Sequence, residues 1–194
     1  MPELPEVETT VRDLSKKLVG LKFKDVWTDW PKTFKKAGLS SEALAKGEGF
    51  DNFKKTIKNK KIIGIRRRAK FIVIDIEGKY SIFIHQKISG HLLFGKWRLV
   101  GKNWIPTTKG PLKEERENGY IRTMWLLNNN YQLAFSDLRR FGKIVLVEDN
   151  NLSQLPEIKN LGPEPLEISF KEFQGLFGNK KGKIKQVLMA PFFI

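Results

Sequence analysis

Residues 61–85 carry the sequence KIIGIRRRAKFIVIDIEGKYSIFIH, which is rich in isoleucine, valine and phenylalanine. Side chains of these types are typical of β-strands. The pair Glu77-Gly78 interrupts the apolar pattern and predicts a tight turn that joins long strands. Because apolar side chains fall on both faces of these strands, we expect two sheets that pack against each other.

Shorter stretches on both sides of this segment repeat the β pattern. Alternating side chains in residues 22–27 predict a first strand. Residues 120–127 and 131–135 flank three asparagines at 128–130 and predict a hairpin. Residues 143–147 predict one more strand, so β structure dominates the middle of the chain.

The N-terminal segment has the apolar spacing of a helix. Its leucines and valines recur at helical intervals, at Val7, Val11, Leu14 and Leu18. Pro5 suits the first helical turn and Gly20 suits the end, which together predict an amphipathic helix. Residues 31–60 are mixed and basic, and we expect little regular structure there.

The sequence changes character after Asp149, where prolines and glycines are followed by helical spacing. We therefore predict an α+β protein, with an N-terminal helix and a two-layer antiparallel β-sandwich in residues 1–149. Residues 150–194 are expected to form a linker and a short helical segment. We expect this segment to be truncated, because the final residues 189–194 are apolar and chain ends are usually polar.

The chain is strongly basic, since 36 Lys and Arg against 21 Asp and Glu give a formal net charge of +15. Clustered positive charge concentrates polyanions near the surface, so nucleic acid is the first partner that the composition indicates. An anionic membrane, or simple solubility, fits the same charge. A hydrophobic content of 40% predicts a folded chain. Five lysines are interpreted as a solvated face: Lys54, Lys55, Lys58, Lys60 and Lys61.

The sequence has no cysteine and only two histidines, His85 and His91. We expect no disulfide, metal site or cofactor in this chain, because zinc sites are built mainly from cysteine and histidine. The N-terminus lacks the pattern of a signal peptide, and no apolar run approaches the ~20 residues that cross a bilayer. We therefore expect a cytoplasmic protein without a membrane partner.

Pro2 follows the initiator methionine, and removal of Met1 would leave a secondary amine at the start of the chain. Free α-amino groups titrate near pKa ~7.7–8.0, so part of such an amine is unprotonated at neutral pH and able to attack carbon. Glu3 and Glu6 lie beside it and are candidates for acid and base roles. The same residues are also typical of a helix start, and the local sequence leaves both interpretations open.

Five segments in order along the chain resemble the motifs of one enzyme family. They are residues 1–9 (MPELPEVET), 67–71 (RRAKF), 84–90 (IHQKISG), 136–142 (SDLRRFG) and 161–166 (LGPEPL). With these motifs the chain resembles the bacterial formamidopyrimidine-DNA glycosylases, which excise oxidised purines. Five collinear motifs at family-like spacing span nearly the whole chain, so coincidence is a poor explanation.

The resemblance implies a DNA base-excision repair enzyme that is both a glycosylase and an abasic-site lyase. Pro2 would be the Schiff-base nucleophile, with Glu3 and Glu6 as acid and base around the opened sugar. Lys70 would hold a phosphate beside the lesion, although Lys70 alone is also typical of a solvated strand end. The implied partner is double-stranded DNA that contains an oxidised purine or an abasic site, bound by a monomer near the nucleoid.

A base in a duplex has to be flipped out before its glycosidic bond is accessible, and the gap in the stack needs filling. By resemblance, Phe141 and Ile88 enter the gap, Arg139 contacts the orphaned base and Arg140 holds backbone phosphate. His85 is the remaining DNA-binding residue that the resemblance implies. A core position is the alternative for Phe141, although the arginines beside it favour a turn that faces a groove.

The sequence departs from the family pattern at three places. Gln86-Lys87-Ile88 stands where the family usually has Leu-Gly-Met, and Leu138 replaces its usual proline. Residues 184–189 resemble the first helix of the family's helix-two-turn-helix module, and neither its glycine-rich turn nor its zinc finger follows. We therefore expect no zinc in this chain and a weakened grip on DNA.

Three other functions fit parts of the pattern. A nonenzymatic remnant would keep damage recognition without turnover. An enzyme of the endonuclease VIII type would remove oxidised pyrimidines, although Leu4 and the turn at 139–141 favour the purine branch. An RNA-binding or ribosome-associated protein would leave Pro2 unused.

Overall fold

A computed structural model describes residues 2–36, 48–148, 156–159, 161–164, 167–178 and 180–190 of the chain. The chain divides into two compact units, Met1–Asp149 and Asn150–Ile194. The assignment of a catalytic role to the first unit, and of an incomplete helix-two-turn-helix to the second, stays a prediction.

The described part of the first unit consists mainly of β-strands. In chain order these are β1 (Phe23–Thr28), β2 (Phe34–Lys36), β3 (Ile62–Arg68), β4 (Phe71–Ile76), β5 (Tyr80–His85), β6 (Gly90–Gly95), β7 (Trp97–Val100), β8 (Asn103–Pro106), β9 (Ile121–Leu127), β10 (Gln132–Asp137) and β11 (Lys143–Glu148). The helices are α1 (Leu4–Leu18), α2 (Glu48–Ile57) and α3 (Pro111–Glu114), with 3₁₀ turns at Pro31–Thr33 and Arg116–Gly119.

The strands form two main sheets, which confirms the predicted α+β fold with a β-sandwich. One sheet has the order β1-β9-β10-β6, and the other has the order β2-β11-β5-β4-β3. All pairs within these sheets are antiparallel except β2 with β11, which is parallel. Strands β7 and β8 form a separate hairpin.

Both sheets contribute to one hydrophobic core. The four-stranded sheet supplies Phe23, Trp125 and Phe135, all fully buried, and the five-stranded sheet supplies a row of buried isoleucines that includes Ile74 and Ile84. Burial of a side chain of this size stabilises the fold by about 1.5–3 kcal/mol. The loops that join the strands therefore emerge at the two ends of a rigid sandwich.

Helix α1 confirms the predicted amphipathic helix. The four apolar residues of its stripe, Val7, Val11, Leu14 and Leu18, are all buried, and the helix packs against β3. Pro5 lies in the first turn, where its missing N–H has no intrahelical partner to lose. This packing fixes the N-terminal end of α1 beside the turn between β3 and β4.

Two predictions about strands and loops were wrong. Residues 31–60 contain a 3₁₀ turn, strand β2 and helix α2, where little regular structure was expected. Phe53 and Ile57 of α2 are buried in the core. Packing of these side chains therefore stabilises a helix in a segment whose mixed, basic sequence did not predict one. Residues 61–85 form three strands, because a second turn at Ala69 follows β3.

The described residues of the second unit include three short helices, α4 (Pro156–Lys159), α5 (Phe170–Gly175) and α6 (Ile184–Leu188), in agreement with the expected helical segment. Ser169 caps α5, and its hydroxyl accepts the backbone N–H of Glu172 at 3.3 Å. The prediction that the chain has an apolar, truncated end falls partly on residues 191–194, which lie outside the described residues. Residues 165 and 166 of the motif at 161–166 also lie outside them. Within the described part of the chain, no helix is long and apolar enough to cross a membrane.

Candidate active site

The three predicted catalytic residues lie at the start of α1. Glu3 is the N-cap residue, and its backbone N–H donates to the Glu6 carboxylate at 3.1 Å, as in a capping box. Pro2 precedes this cap and is half-buried. The Lys70 ammonium lies 2.5 Å from the Glu3 carboxylate. The structure thus brings together a potential amine nucleophile, two carboxylates and one cation.

Lys70 is positioned by the turn between β3 and β4. Ala69 has φ 47°, a left-handed conformation that costs a non-glycine residue of order 1 kcal/mol. Arg67 stabilises this turn, because its guanidinium donates to the Ala69 carbonyl at 3.1 Å and to the Glu8 carboxylate at 3.0 Å. Since Glu8 belongs to α1, Arg67 connects the turn to the helix that carries the N-terminus.

Glu8 stays ionised in this arrangement. Hydrogen bonds from Arg12, and then from Arg67, hold the pKa of its carboxyl below the ordinary value. The Arg12 contact lies at 2.9 Å on the exposed helix face, whereas the side chain of Arg67 is only 8% exposed. A charged, buried guanidinium requires an anionic partner, so the ionised Glu8 is part of what holds the β3–β4 turn in place.

His85 lies next to this turn, at the end of β5. It pairs with Phe71 across the strands, and the two rings meet edge to face at 4.7 Å. Its Nδ1 accepts the backbone N–H of Lys87 at 3.0 Å, which fixes the ring orientation. His85 therefore shapes the start of the loop that carries Ile88.

The carboxylate of Asp137 joins the two loops that carry the predicted wedge residues. Asp137 is fully buried, and its Oδ1 accepts the Ser89 hydroxyl at 2.5 Å and the Arg139 backbone N–H at 3.2 Å. Its Oδ2 accepts the Gly142 backbone N–H at 2.8 Å. The Ser89 hydroxyl also accepts the Arg139 N–H at 3.0 Å. The loop at 86–89 and the turn at 138–142 are thus held in one arrangement.

The sequence motifs alone indicate no role for either of these connecting residues. Ser89 and Asp137 both belong to matched motifs, but the wedge residues beside them drew the functional interpretation. An aspartate two residues before a pair of arginines, in a short segment that ends in glycine, was a usable signal. An acid at that point, with backbone N–H groups converging from a tight turn, is a common way to hold a loop.

Two glycines allow the loops to approach the core closely. A Cβ on Gly90 would lie 2.6 Å from Cζ of Phe135, and a Cβ on Gly142 would lie 2.5 Å from the same atom. The Phe135 ring is fully buried and has no room to move away. Glycine is therefore required at both positions by close packing.

The apolar tips of the two loops point into solvent. Phe141 is 48% exposed and Ile88 is 41% exposed, which excludes the core alternative for Phe141. The Arg139 guanidinium lies 4.8 Å from the centre of the Phe141 ring, within cation–π range. Leu138 is 54% exposed on the same turn. Exposed large apolar side chains in one place are typical of a binding surface.

Arg140 has an acidic partner within the protein. It adopts a left-handed conformation with φ 56°, and its guanidinium lies 3.0 Å from the Asp29 carboxylate. The same Asp29 oxygen pairs with Arg122 at 2.9 Å, and Arg122 donates to the Asp137 carbonyl at 2.9 Å. A partly exposed ion pair contributes only ~0–1 kcal/mol, so a phosphate is able to displace Asp29 from Arg140.

The zinc that the family resemblance implies does not fit these residues. The chain has no cysteine. His91 is engaged with Asn118 at 2.9 Å, and His85 holds the Lys87 N–H. Among the described residues, no group of three or more histidine, aspartate or glutamate side chains is arranged to hold a metal ion.

The fold is a helix-and-sandwich domain with two carboxylates at the start of α1 and apolar tips on two connected loops. The family model of the formamidopyrimidine-DNA glycosylase N-terminal domain matches residues 1–144. The chain belongs to this family.

Curated relatives of the same family match the chain along its length. The formamidopyrimidine-DNA glycosylase of Pelotomaculum thermopropionicum is 35% identical over 196 residues, which cover 100% of this chain and 61% of the relative. That of Rickettsia bellii is 35% identical over 192 residues, covering 97% and 59%. The chain thus spans about three fifths of the length of these relatives.

Solved structures show that the fold is shared. The Lactococcus lactis Fpg, in complex with DNA containing an abasic site, has a TM-score of 0.75 and 24% identity, covering 100% of this chain and 62% of that one. MutM in complex with DNA containing carbocyclic 8-oxo-G has a TM-score of 0.74 and 25% identity, covering 100% and 63%.

Proposed function

We propose that this protein excises oxidised purines from double-stranded DNA and cleaves the strand at the resulting abasic site, with the amine of Pro2 as nucleophile. The observation that carries the proposal is the contact of Glu3 with both Glu6 and Lys70 at the start of α1, directly after Pro2 in the chain. Family membership supports it, as do the DNA complexes of the related Fpg and MutM proteins.

The chemistry begins once Met1 has been removed. The lone pair of the Pro2 nitrogen forms a bond to the sugar C1′, the nitrogen gives up its N–H proton, and the bond from C1′ to the base breaks as the base leaves with that proton. The ring oxygen then takes up a proton as the sugar opens, which leaves an iminium between Pro2 and C1′. Removal of a proton from C2′ expels the 3′-phosphate by β-elimination, and water releases the enzyme.

In this proposal the carboxylates of Glu3 and Glu6 would move these protons. Glu6 is held by the Glu3 backbone N–H, and Glu3 is held by Lys70, so the two carboxylates have different surroundings. Different surroundings are what allow one carboxyl to act as acid while the other acts as base. Lys70 also supplies a positive charge beside the site, where it would hold a phosphate next to the lesion.

The two loops that Asp137 connects, at 86–89 and 138–142, would recognise the site of the flipped-out nucleotide. Phe141 and Ile88 are exposed and would fill the gap in the stack. Arg139 lies against the Phe141 ring and would contact the orphaned base. Arg140 would exchange Asp29 for a backbone phosphate, and His85 would support the same surface.

Borohydride trapping tests the proposal. The protein without Met1 is incubated with a duplex that contains one abasic site, the mixture is reduced, and covalent protein–DNA adducts are separated by electrophoresis. A matched variant carries one alanine before Pro2 and keeps every other contact. We expect an adduct that disappears in the extended variant. Binding without an adduct would leave the damage-binding remnant as the better account.

Three further properties belong to the same proposal: that these residues hold no cofactor, that the protein acts as a monomer, and that it works on the nucleoid in the cytoplasm. Elemental analysis of the purified protein, analytical ultracentrifugation and imaging of a C-terminally tagged protein test them in turn.

A further inference from the structure

The end of the sandwich opposite the candidate active site carries a concentration of positive charge. Three short segments meet there: residues 16–25, 54–61 and 77–79. They contain ten lysines, which we call the lysine pole: Lys16, Lys17, Lys22, Lys24, Lys54, Lys55, Lys58, Lys60, Lys61 and Lys79. The same segments contain only two acids, Asp25 and Glu77.

Backbone hydrogen bonds hold the three segments together, so the lysines share one surface. The Gly20 N–H donates to the Ile62 carbonyl at 2.9 Å, and the Phe23 N–H donates to the Lys60 carbonyl at 3.1 Å. The Glu77 N–H donates to the Lys61 carbonyl at 2.9 Å. These bonds connect the end of α1, the start of β1, the start of β3 and the end of β4.

Little of this charge is neutralised within the protein. Lys54 pairs with Asp25 at 2.9 Å, and the Glu77 carboxylate accepts the Lys61 backbone N–H at 3.4 Å. Within the described ranges, Lys54 is the lysine of the pole that forms an ion pair, and Asp25 also attracts Lys58 at longer range. A face that serves only solubility usually mixes charges of both signs. A cluster of one sign instead attracts a polyanion.

The lysine pole is separate from the candidate active site. Strand β4 contains six residues, and Lys70 precedes it at one end while Glu77 follows it at the other. At ~3.3 Å per residue this separates the two ends by roughly 20 Å. The Debye length at physiological salt is about 8 Å, so the two charged surfaces act independently.

We propose that the lysine pole binds the phosphate backbone of a second segment of nucleic acid while the opposite end holds the first. The proposal rests on the proposed function, because the first segment is the one held by the active-site loops. A regular row of phosphates suits a pole in which ten lysines supply most of the charged groups. Such a second contact lets a protein pass between DNA segments without full release.

The test compares two triple variants with the same change in net charge. Lys22→Gln, Lys58→Gln and Lys61→Gln alter the pole, and Lys102→Gln, Lys109→Gln and Lys113→Gln alter exposed lysines elsewhere. Affinity for an undamaged duplex is measured across salt concentrations. We expect the pole variant to reduce the magnitude of the slope of log K against log salt by about 2.7, since it loses three phosphate contacts and each contributes ~0.9. The control is expected to change it by less than about 1.

A bridging assay measures the second contact directly. Protein is added to beads that carry one duplex, and the retention of a fluorescent duplex of the same length is recorded. We expect bridging by the wild type and the control, and a loss of about ten-fold in the pole variant. Equal bridging and equal slopes in the two variants would overturn the proposal. So would competition by polyglutamate as strong as that by DNA at equal charge, because the partner would then be any polyanion.

Neither assay requires catalysis, which keeps the two proposals separable. Absence of a borohydride adduct together with normal bridging would reject the glycosylase proposal and leave the lysine pole standing. Urea unfolding of both triple variants shows whether they fold, and exposed lysines are expected to change the free energy of unfolding by less than ~0.5 kcal/mol.

Discussion

Replacing Asp137 by asparagine should weaken both the fold and the binding surface. The carboxylate is fully buried and accepts the Ser89 hydroxyl at 2.5 Å, the Arg139 N–H at 3.2 Å and the Gly142 N–H at 2.8 Å. An asparagine oxygen is able to replace Oδ1, but its amide group then faces the buried Gly142 N–H. An unpaired buried donor costs ~1–3 kcal/mol, and loss of charge weakens the two remaining bonds. We expect a destabilisation of about 3 kcal/mol.

Urea unfolding followed by tryptophan fluorescence measures this difference as a shift in the midpoint at constant slope. Asp13→Asn is the matched control, because Asp13 is exposed on α1 and the change in charge is the same. The control should change the free energy of unfolding by less than ~0.5 kcal/mol. A destabilisation below about 1 kcal/mol for Asp137→Asn would refute the argument that this carboxylate holds the two loops together.

Three other changes have expected outcomes. Gly90→Ala places a Cβ 2.6 Å from the Phe135 ring, so we expect a loss of about 1–3 kcal/mol in a urea titration. The pKa of Glu8 lies below its ordinary value of 4.5, so the ionised carboxylate contributes stability above that pH. This contribution is lost as the pH falls through the lowered pKa. The urea midpoint, followed from pH 6 to pH 3, should therefore fall less steeply in Glu8→Gln than in the wild type. Phe141→Ala should leave the urea midpoint nearly unchanged and weaken binding to an abasic duplex by about ten-fold in a fluorescence anisotropy titration, since a stacked side chain contributes ~1–3 kcal/mol.

Regular patterns in the sequence predicted much of the fold. The apolar stripe from Val7 to Leu18 predicted helix α1, and the β-branched residues of 61–85 predicted a sandwich. Both predictions rest on the need to bury one apolar face of each element. Helix α2 was missed for a different reason. Its buried side chains, including Phe53 and Ile57, have helical spacing, but lysines and glycines around them hide it in the sequence.

The sequence predicted the reactive residues of the candidate site but not the contacts between them. The residues with reactive or charged side chains were named from motifs, and in the structure Glu3 contacts both Glu6 and Lys70, directly after Pro2 in the chain. Their roles stay predictions. The ion pair between Arg140 and Asp29 could not be predicted from the sequence, because the two residues are 111 positions apart in the chain. Contacts at such separation depend on how β1 and β10 lie in one sheet, which local sequence does not encode.

The two wedge-bearing loops hold conformations that the rest of the domain must support. Lys87 has φ 57° and Arg140 has φ 56°, and each is a left-handed conformation that an ordinary residue avoids. Ile88 and Phe141 add exposed apolar surface that water disfavours. A loop with these features keeps its shape only where surrounding bonds outweigh the strain. Asp137 provides those bonds from inside the core, so the shape of the proposed binding surface and the stability of the sandwich depend on the same buried carboxylate.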